Sequence, residues 1–356
     1  MEDESLFQHM IRERLRDVSW RNAARRRDDM RGLDAGLDRD ATLKLYNRVQ
    51  GHDRVILQKL FTGCVRCRER DFRMKKDTDS ACWFCDAHPA ETLEHILHEC
   101  PNWEHHRTIG PVVGDACFRL CGLVAVDPGL AQANAGLDFV EPAQQTTADT
   151  HESETLSSHR VVVWSDGAAP NNQFQRLRRA GAGGFWGDGN PRNFSLPVPG
   201  QVQTNQRAEL FALVRIVEGD SRALEVRTDS QYVVQGFRAL FEARHSTHID
   251  LWARLRDALL HCQERVLVTK VRGHASWNDV RMGRIQLIDK VGNAKADALA
   301  VAGASAHGHD HVVSRALESW RHAEQLQRQY LAILSEREQD SDAMREAIDS
   351  YTRPER

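Results

Sequence analysis

Apolar and polar positions divide the chain into two differently patterned halves. From Val161 onward, short apolar runs alternate with helical spacings. Val161–Ser165 is an unbroken apolar run that meets a charge and a glycine at Asp166 and Gly167, the pattern of a buried strand. Gly181–Trp186 and Asn193–Val198 predict two more strands in a meander. Leu210, Leu213, Val214 and Val217 recur at helical spacing and predict a helix over Asn205–Glu218, with Thr204 or Asn205 as its cap. Ala223–Thr228 reads as a strand, and Tyr232–Phe241 and Ile249–Cys262 as helices. The second of these helices carries Trp252, Leu255 and Leu259 on one stripe. Val266–Val271 is a strand and Asn293–Ala302 a helix. The order βββαβααβα predicts an α/β domain over residues 159–305, a five-stranded mixed sheet flanked by helices.

The first half lacks such alternation. Residues 1–55 read as helical and charged. The arginine-rich stretch RERLRDVSWRNAARRRDDMR is interrupted by Asp28 and Asp29, which favours a solvated helix face over a phosphate-contacting one. Residues 56–107 hold a cysteine and histidine cluster. Residues 108–158, most clearly from 122, are small, polar and proline-containing and read as a linker. Residues 306–356 read as a helical tail. Within it a helix over Val313–Glu338 aligns Trp320, Ala323, Leu326, Tyr330 and Ile333 on one face, expected to pack on the same protein. The last residues are expected to fray.

At 356 residues and 41% hydrophobic content the chain can build two domains of ordinary size. No apolar run reaches the length of a membrane span, so no membrane partner is expected. The opening MEDESLFQHMIRERLRD lacks the apolar centre of a secretory leader. An intracellular setting, nucleus or cytoplasm, is the expectation. Most of the eight cysteines precede residue 122, and they are expected to be reduced and to serve metal rather than disulfides. A net charge of −3 does not by itself suggest nucleic acid, so local distribution is the better guide.

Cys82-x2-Cys85 followed by His95-x4-Cys100 is zinc-ligand spacing: two thiolates on a tight turn and a His/Cys pair on a helix close a tetrahedron. His98 competes with His95. Four protein ligands leave no open position, so such a zinc is structural. Cys64-x2-Cys67 has no equally convincing second pair, and Cys117 and Cys121, one helical turn apart, read as core.

Asp166 and Asp229 close two predicted strands. If these strands are parallel neighbours, the two carboxylates meet at one carboxyl edge of the sheet, where open α/β sheets place ligands. Glu209 lies one turn into the first helix, beside its core stripe, where an unpaired charge is costly. Asp297 is placed in the opening turn of the last helix. Taken singly, each is an ordinary cap or solvated acid. Together they are a set that divalent cations stabilise, and two magnesium or manganese ions suit phosphoryl chemistry.

Six segments resemble ribonuclease H in order and in most spacings: VVVWSDG (Val161–Gly167), TNQRAEL (Thr204–Leu210), TDSQYVV (Thr228–Val234), IDLWARL (Ile249–Leu255), VRGHAS (Val271–Ser276) and GNAKADALA (Gly292–Ala300). The resemblance implies a ribonuclease H-like fold and hydrolysis of the RNA strand of an RNA/DNA hybrid by a two-metal mechanism. It implies that Asp166, Glu209, Asp229 and Asp297 are metal ligands and that His274 assists proton transfer or product release. It places Asn205, Gln206 and Gln231 in the hybrid's minor groove, where ribose 2′-hydroxyls distinguish RNA from DNA, and Thr204 at a phosphate of the DNA strand. The zinc-spaced segment resembles the module that follows the reverse transcriptase in non-LTR retrotransposons. No aromatic-x-Asp-Asp polymerase motif occurs, so the chain looks like the C-terminal part of such a polyprotein.

The sequence also departs from the family pattern. The interval between His274 and Asp297 is longer than usual, and it contains Asp279 and Asp289 as rivals to Asp297. The basic handle between the middle helices is reduced to ARHSTH, residues 243–248, so Arg176, Arg178 and Arg179 are candidates for gripping the substrate. Two other readings exist: a catalytically decayed, nucleic-acid-binding remnant, and a transposase or integrase on the same fold. Intact acids weigh against the first; the histidine loop and the Gly-Asn-x-x-Ala-Asp helix weigh against the second.

Overall fold

The computed structural model describes residues 2–142, 151–242, 245 and 247–352; residues 143–150 of the expected linker and 243, 244 and 246 of the expected handle lie outside the described residues. The chain forms two compact units, one from the residues up to 131 together with those from Ser314 onward, the other from 132 to 313. No helix among the described residues is long and apolar enough to cross a membrane.

The first unit is built from α1 (Glu2–Arg26), α2 (Arg39–Tyr46), α3 (Gly51–Phe61), α4 (Arg68–Arg73) and α5 (Ala116–Cys121), and α6 (Pro128–Ala135) spans the boundary at residue 131. Between α4 and α5 the backbone makes a single π-helical turn at His95–Glu99 and a 3-10 turn at Pro101–His106. Asp38 caps α2, one oxygen accepting from the Ala41 amide at 3.2 Å.

In the second unit β1 (Thr155–Ser157) leads into β2 (Arg160–Ala168), β3 (Gly181–Phe185) and β4 (Phe194–Pro197). Then follow α7 (Asn205–Gly219), β5 (Leu224–Thr228), α8 (Gln231–Arg238), α9 (Ile249–Leu259), β6 (Val266–Lys270), α10 (Trp277–Arg281) and α11 (Leu287–Ser305). The sheet order is β4-β3-β2-β5-β6. β2, β5 and β6 run parallel; β3 and β4 are antiparallel additions. The expected five strands become six, because β1 pairs with the start of β2. Three mostly polar residues are too few to show a period of two.

β2 is buried on both faces, which is why it reads as a continuous apolar run. Val161 and Val163 pack into the core with Leu210, Leu213 and Val217 of α7. Val162 and Trp164 pack with Phe185 and Ala296 of α11 on the other face. Glycines at 181 and 183 let α11 lie close on β3; a Cβ at Gly183 would stand 2.4 Å from the Ala296 carbonyl oxygen.

The last helix, α12 (Asp310–Thr352), corrects the expected boundaries. Trp320, Ala323, Leu326, Tyr330 and Ile333 are all buried, and the last three join the core of Leu45, Ile56, Leu57, Leu60 and Trp103. The Trp320 indole donates to Asp38 at 3.0 Å. Arg337 donates to both oxygens of the buried Glu91, at 3.0 and 2.7 Å. Removing either partner would strand a buried charge, at a cost of about 3–5 kcal/mol. Residues 1–55, 56–107 and 314–356 therefore share one unit instead of forming three pieces, and the expected tail is divided, its residues 306–313 belonging to the second unit. The expected linker 108–158 is also corrected: α5 and α6 lie in it, and Cys117, Cys121, Leu123, Leu130 and Leu137 are buried. Its helices of six and eight residues are too short to display periodicity.

Candidate active site and a second ligand cluster

Strand register sets the first two acids. Ser165 pairs with Thr228 in the last rung of the parallel β2–β5 ladder. Asp166 and Asp229 are each the next residue, so both reach the same carboxyl edge. β2 does not stop there, as the sequence pattern suggested, because pairing with β3 carries it to Ala168. Glu209 comes in from α7, whose N-terminus is capped by Thr204 Oγ1 accepting from the Arg207 amide at 3.2 Å. Carboxylate oxygens of Asp166, Glu209 and Asp229 all lie within 4.8 Å of one another. Asp297 and His274 join them in lining a cleft of about 300 Å³.

Burial, and then the charge of Asp229, push Asp166 up to about 8, with Asp297 and Glu209 adding to the repulsion. The Gly167 amide, donating to Asp166 at 2.7 Å, works against the rise. Burial also raises Glu209, while the Ser230 hydroxyl donating to Oε2 opposes that. Asn205 donates to Oε1 of Glu209 at 2.8 Å. Acids that are partly buried and crowded together gain most from a bound cation. Three carboxylate oxygens this close, with cleft volume beside them, fit hard divalent ions that keep open positions.

Three partners were not legible in the sequence. Ser230 caps α8 through the Val233 amide at 3.2 Å as well as holding Glu209. Asn293 approaches Asp229 at 3.4 Å. Lys270, at the end of β6, donates to the Asp229 carbonyl and lowers Glu209, so a cation stands beside the acids. Thr228 pairing with Lys270 was the available signal, but it needs the strand order.

Asp297 stands ten residues into α11, not in its opening turn. Gly292 and Asn293 look like a helix start, yet Gly292 packs on the Trp164 indole and Asn293 serves Asp229. The long interval after His274 is filled by α10 and the first turns of α11. Its two rival acids have other work. Asp279 completes a capping box with Ser276 and pairs with Arg284 at 3.0 Å. Asp289 accepts from the Trp164 indole at 3.1 Å and from Arg227 at 2.7 Å. His274 is exposed, with φ of 46°, in the left-handed region. Gly273 before it must be glycine, because a Cβ would stand 2.3 Å from Asp229 Oδ2.

Gln206 and Gln231 are exposed and Asn205 is half-buried. The caps of α7 and α8 are Thr204 and Ser230, so these amides are not needed as caps. Arg179 is not available for gripping. It is buried and donates to the carbonyls of Arg176 and Arg178 and to His309.

A second cluster lies in the first unit. Cys82, Cys85, His95 and Cys100 are all buried, with ligand atoms within 4.8 Å of one another. A tetrahedral zinc ion, with bonds of about 2.3 Å to sulfur and 2.0–2.1 Å to nitrogen, spaces its S–S pairs about 3.8 Å and S–N pairs about 3.6 Å. Cys82 and Cys100 sulfurs are 3.9 Å apart, and Cys85 Sγ is 3.6 Å from His95 Nε2. The π-helical turn carries His95, and Glu99 holds its Nδ1 at 3.5 Å. Burial pushes the Cys82 thiol up to about 12 and raises Cys100. A soft cation is what would keep such thiols ionised. His98 turns away, to the Arg119 carbonyl at 3.0 Å and the Tyr330 hydroxyl at 3.2 Å. Cys64 and Cys67 stand outside the cluster.

The comparisons agree with this geometry. Residues 158–305 match the RNase H family model. Ribonuclease H of Schizosaccharomyces pombe is 34% identical over 168 residues, 44% of this chain and 58% of that protein. Ribonuclease H1 of Homo sapiens is 38% identical over 101 residues, 27% of this chain and 34% of that protein. The chain thus spans about half or less of the length of these two relatives. Ribonuclease H of Methylobacillus flagellatus is 32% identical over 161 residues, which are 42% of this chain but 93% of that protein. With nearly the whole of that relative covered and the acids gathered at the expected sheet edge, the chain belongs to the ribonuclease H family.

Proposed function

We propose that the chain hydrolyses the RNA strand of RNA/DNA hybrids at the cleft of Asp166, Glu209, Asp229 and Asp297. The observation that carries this reading is the convergence of three carboxylates within 4.8 Å, with Asp166 raised to about 8 by burial and by its neighbours. Asp166, Glu209, Asp229 and Asp297 would hold two Mg²⁺ or Mn²⁺ ions, which when bound would supply an activated water and charge stabilisation at the leaving 3′ oxygen. The protein's part is positioning. The Gly167 amide, Asn205, Ser230 and Asn293 fix the carboxylates that would hold the ions. His274, exposed at the rim, moves a proton at the departing oxygen or assists release. Gln206 and Gln231 read ribose 2′-hydroxyls together with Asn205, and Thr204 takes a phosphate of the DNA strand.

Cys82, Cys85, His95 and Cys100 hold a structural zinc in this reading. A zinc module followed by a ribonuclease H domain supports descent from a retrotransposon polyprotein. Magnesium-dependent cutting of a labelled hybrid, with duplex DNA and duplex RNA as controls, tests the activity. Cleavage of the RNA strand of the hybrid alone is expected. No cleavage with either metal, or equal cleavage of duplex DNA, would overturn it.

A further inference from the structure

Trp277 is the one exposed tryptophan among the chain's eight, with 68% of its surface open. It starts α10, three residues after His274. The Lys290 ammonium lies 5.0 Å from its ring centre and donates to the Ala275 carbonyl at 2.7 Å, tying ring, lysine and histidine loop together. Farther along the same segment Met282, Leu287, Ile288 and Val291 are open as well. Exposed apolar side chains gathered this densely mark a contact surface.

Charge selects the partner. From Lys270 to Lys290 the chain carries five cations, Lys270, Arg272, Arg281, Arg284 and Lys290, although the whole protein has a net charge of −3. The two carboxylates there do not cancel them. Asp289 is taken by Arg227 and the Trp164 indole. Asp279 is shared by Arg272 and Arg284, at 3.5 and 3.0 Å. Arg281 donates to a neutral group, the Asn278 side chain, at 2.8 Å. A protein partner would suit the apolar groups alone; an apolar ring among surplus cations suits a sugar–phosphate strand.

We infer that residues 274–291 form a strand-holding surface for the hybrid beside the cleft: Trp277 packs on sugars, and Arg281 and Lys290 meet phosphates. This rests on the hybrid reading above. The surface takes the place of the reduced handle, and it accounts for the long interval between His274 and Asp297.

The test is hybrid cleavage by the full chain, wild type against Trp277→Ala, Trp277→Phe and Arg281→Gln, over about 50–200 mM salt. KM should rise about tenfold in Trp277→Ala and Arg281→Gln, with kcat and melting temperature unchanged. Trp277→Phe should recover most of the KM. In Arg281→Gln the slope of log KM against log salt should fall by about one, a change that a purely structural arginine would not cause. Unchanged KM in both variants would overturn the inference. So would a shift from dimer to monomer in Trp277→Ala, which would assign the surface to a second copy of the chain. If the wild type fails to cut hybrid, the activity reading fails first. Fluorescence anisotropy of labelled hybrid on Asp229→Asn, with and without Trp277→Ala, then judges the surface by itself, and equal binding removes it.

Discussion

The two ligand clusters solve opposite problems with the same means, convergence of groups that repel or desolvate one another. Cys82, Cys85, His95 and Cys100 are all buried and offer four soft donors, one per corner of a tetrahedron. Asp166, Glu209 and Asp229 offer hard oxygens; Asp166 is buried, the other two are half-buried, and a cleft adjoins them. A closed set binds an ion as part of the fold, and an open set keeps room for a substrate's oxygens. Positions around each set follow suit. Around the thiols lie core side chains such as Ile96, Leu97 and Trp103. Around the acids lie groups that orient oxygen atoms: Asn205, Ser230 and Asn293.

The comparison breaks most sharply at a residue of the proposed zinc site. Structural zinc contributes about 10–16 kcal/mol of apparent binding energy in small zinc domains, more than most domains have in total stability. Cys100→Ser should therefore lose the metal, about one zinc per chain by elemental analysis, and with it the cooperative melting of the first unit. Magnesium-dependent cleavage should persist, since the acids draw nothing from the thiols. Zinc content unchanged in both Cys100→Ser and Cys82→Ser would remove the site.

At the acids the balance reverses: the fold survives and the chemistry does not. Asp229→Asn removes a proposed metal ligand and a repelling charge together. Loss of several kcal/mol of charge stabilisation predicts a fall in kcat of at least about a thousandfold. The melting temperature should stay equal or rise, because Asp229 is the neighbour that most raises Asp166. Full activity in this variant would show that Asp229 holds no metal.

A smaller loss is expected where the acids meet the substrate. Replacing Asn205 and Gln231 with alanine removes hydrogen bonds worth about 0.5–1.5 kcal/mol each, so the rate should drop roughly ten- to a hundredfold and remain magnesium-dependent. Their effects differ in kind. Asn205 also holds Glu209 at 2.8 Å, so its loss should change the metal concentration needed for half-maximal rate. Gln231, exposed and outside the cap, should change only discrimination against DNA. Lower stability with no loss of rate would refute the 2′-hydroxyl role.

What the sequence revealed and concealed follows from the range of the forces involved. Val161–Ser165 was legible because burial on both faces demands a continuous apolar run. The Cys/His cluster was legible because Cys82 and Cys85, and likewise His95 and Cys100, are close in sequence and chemically distinctive. Lys270 and Asn293 were not, because they meet Asp229 only through the order of β5, β6 and α11. The first unit's true extent was hidden for the same reason. Arg337 and Glu91 are 246 residues apart, and nothing local marks them as partners. Gly292-Asn293 misled because residues that often mark a helix start are used here inside a helix, Gly292 for close backbone approach to Trp164 and Asn293 for contact with Asp229.

The smallest effect is the pH dependence of stability, and it separates the clusters without any substrate. Asp166 is raised to about 8 in the folded protein from an ordinary 3.8. A carboxyl whose folded value lies above its unfolded value binds its proton more tightly when folded. Its contribution to stability is thus complete below about pH 4 and is lost as pH rises toward 8. In metal-free protein the second unit should lose at most about 1.4 kcal/mol per pH unit from this group. Saturating magnesium should flatten the slope, because bound cations replace the proton. Asp166→Asn should flatten it without metal. The Cys82 thiol contributes no comparable slope in this range, since it is pushed up to about 12. Thermal melts in chelator at pH 5, 6, 7 and 8, wild type against Asp166→Asn, read the difference directly. Parallel curves would mean that the acids are not crowded in the way their geometry implies.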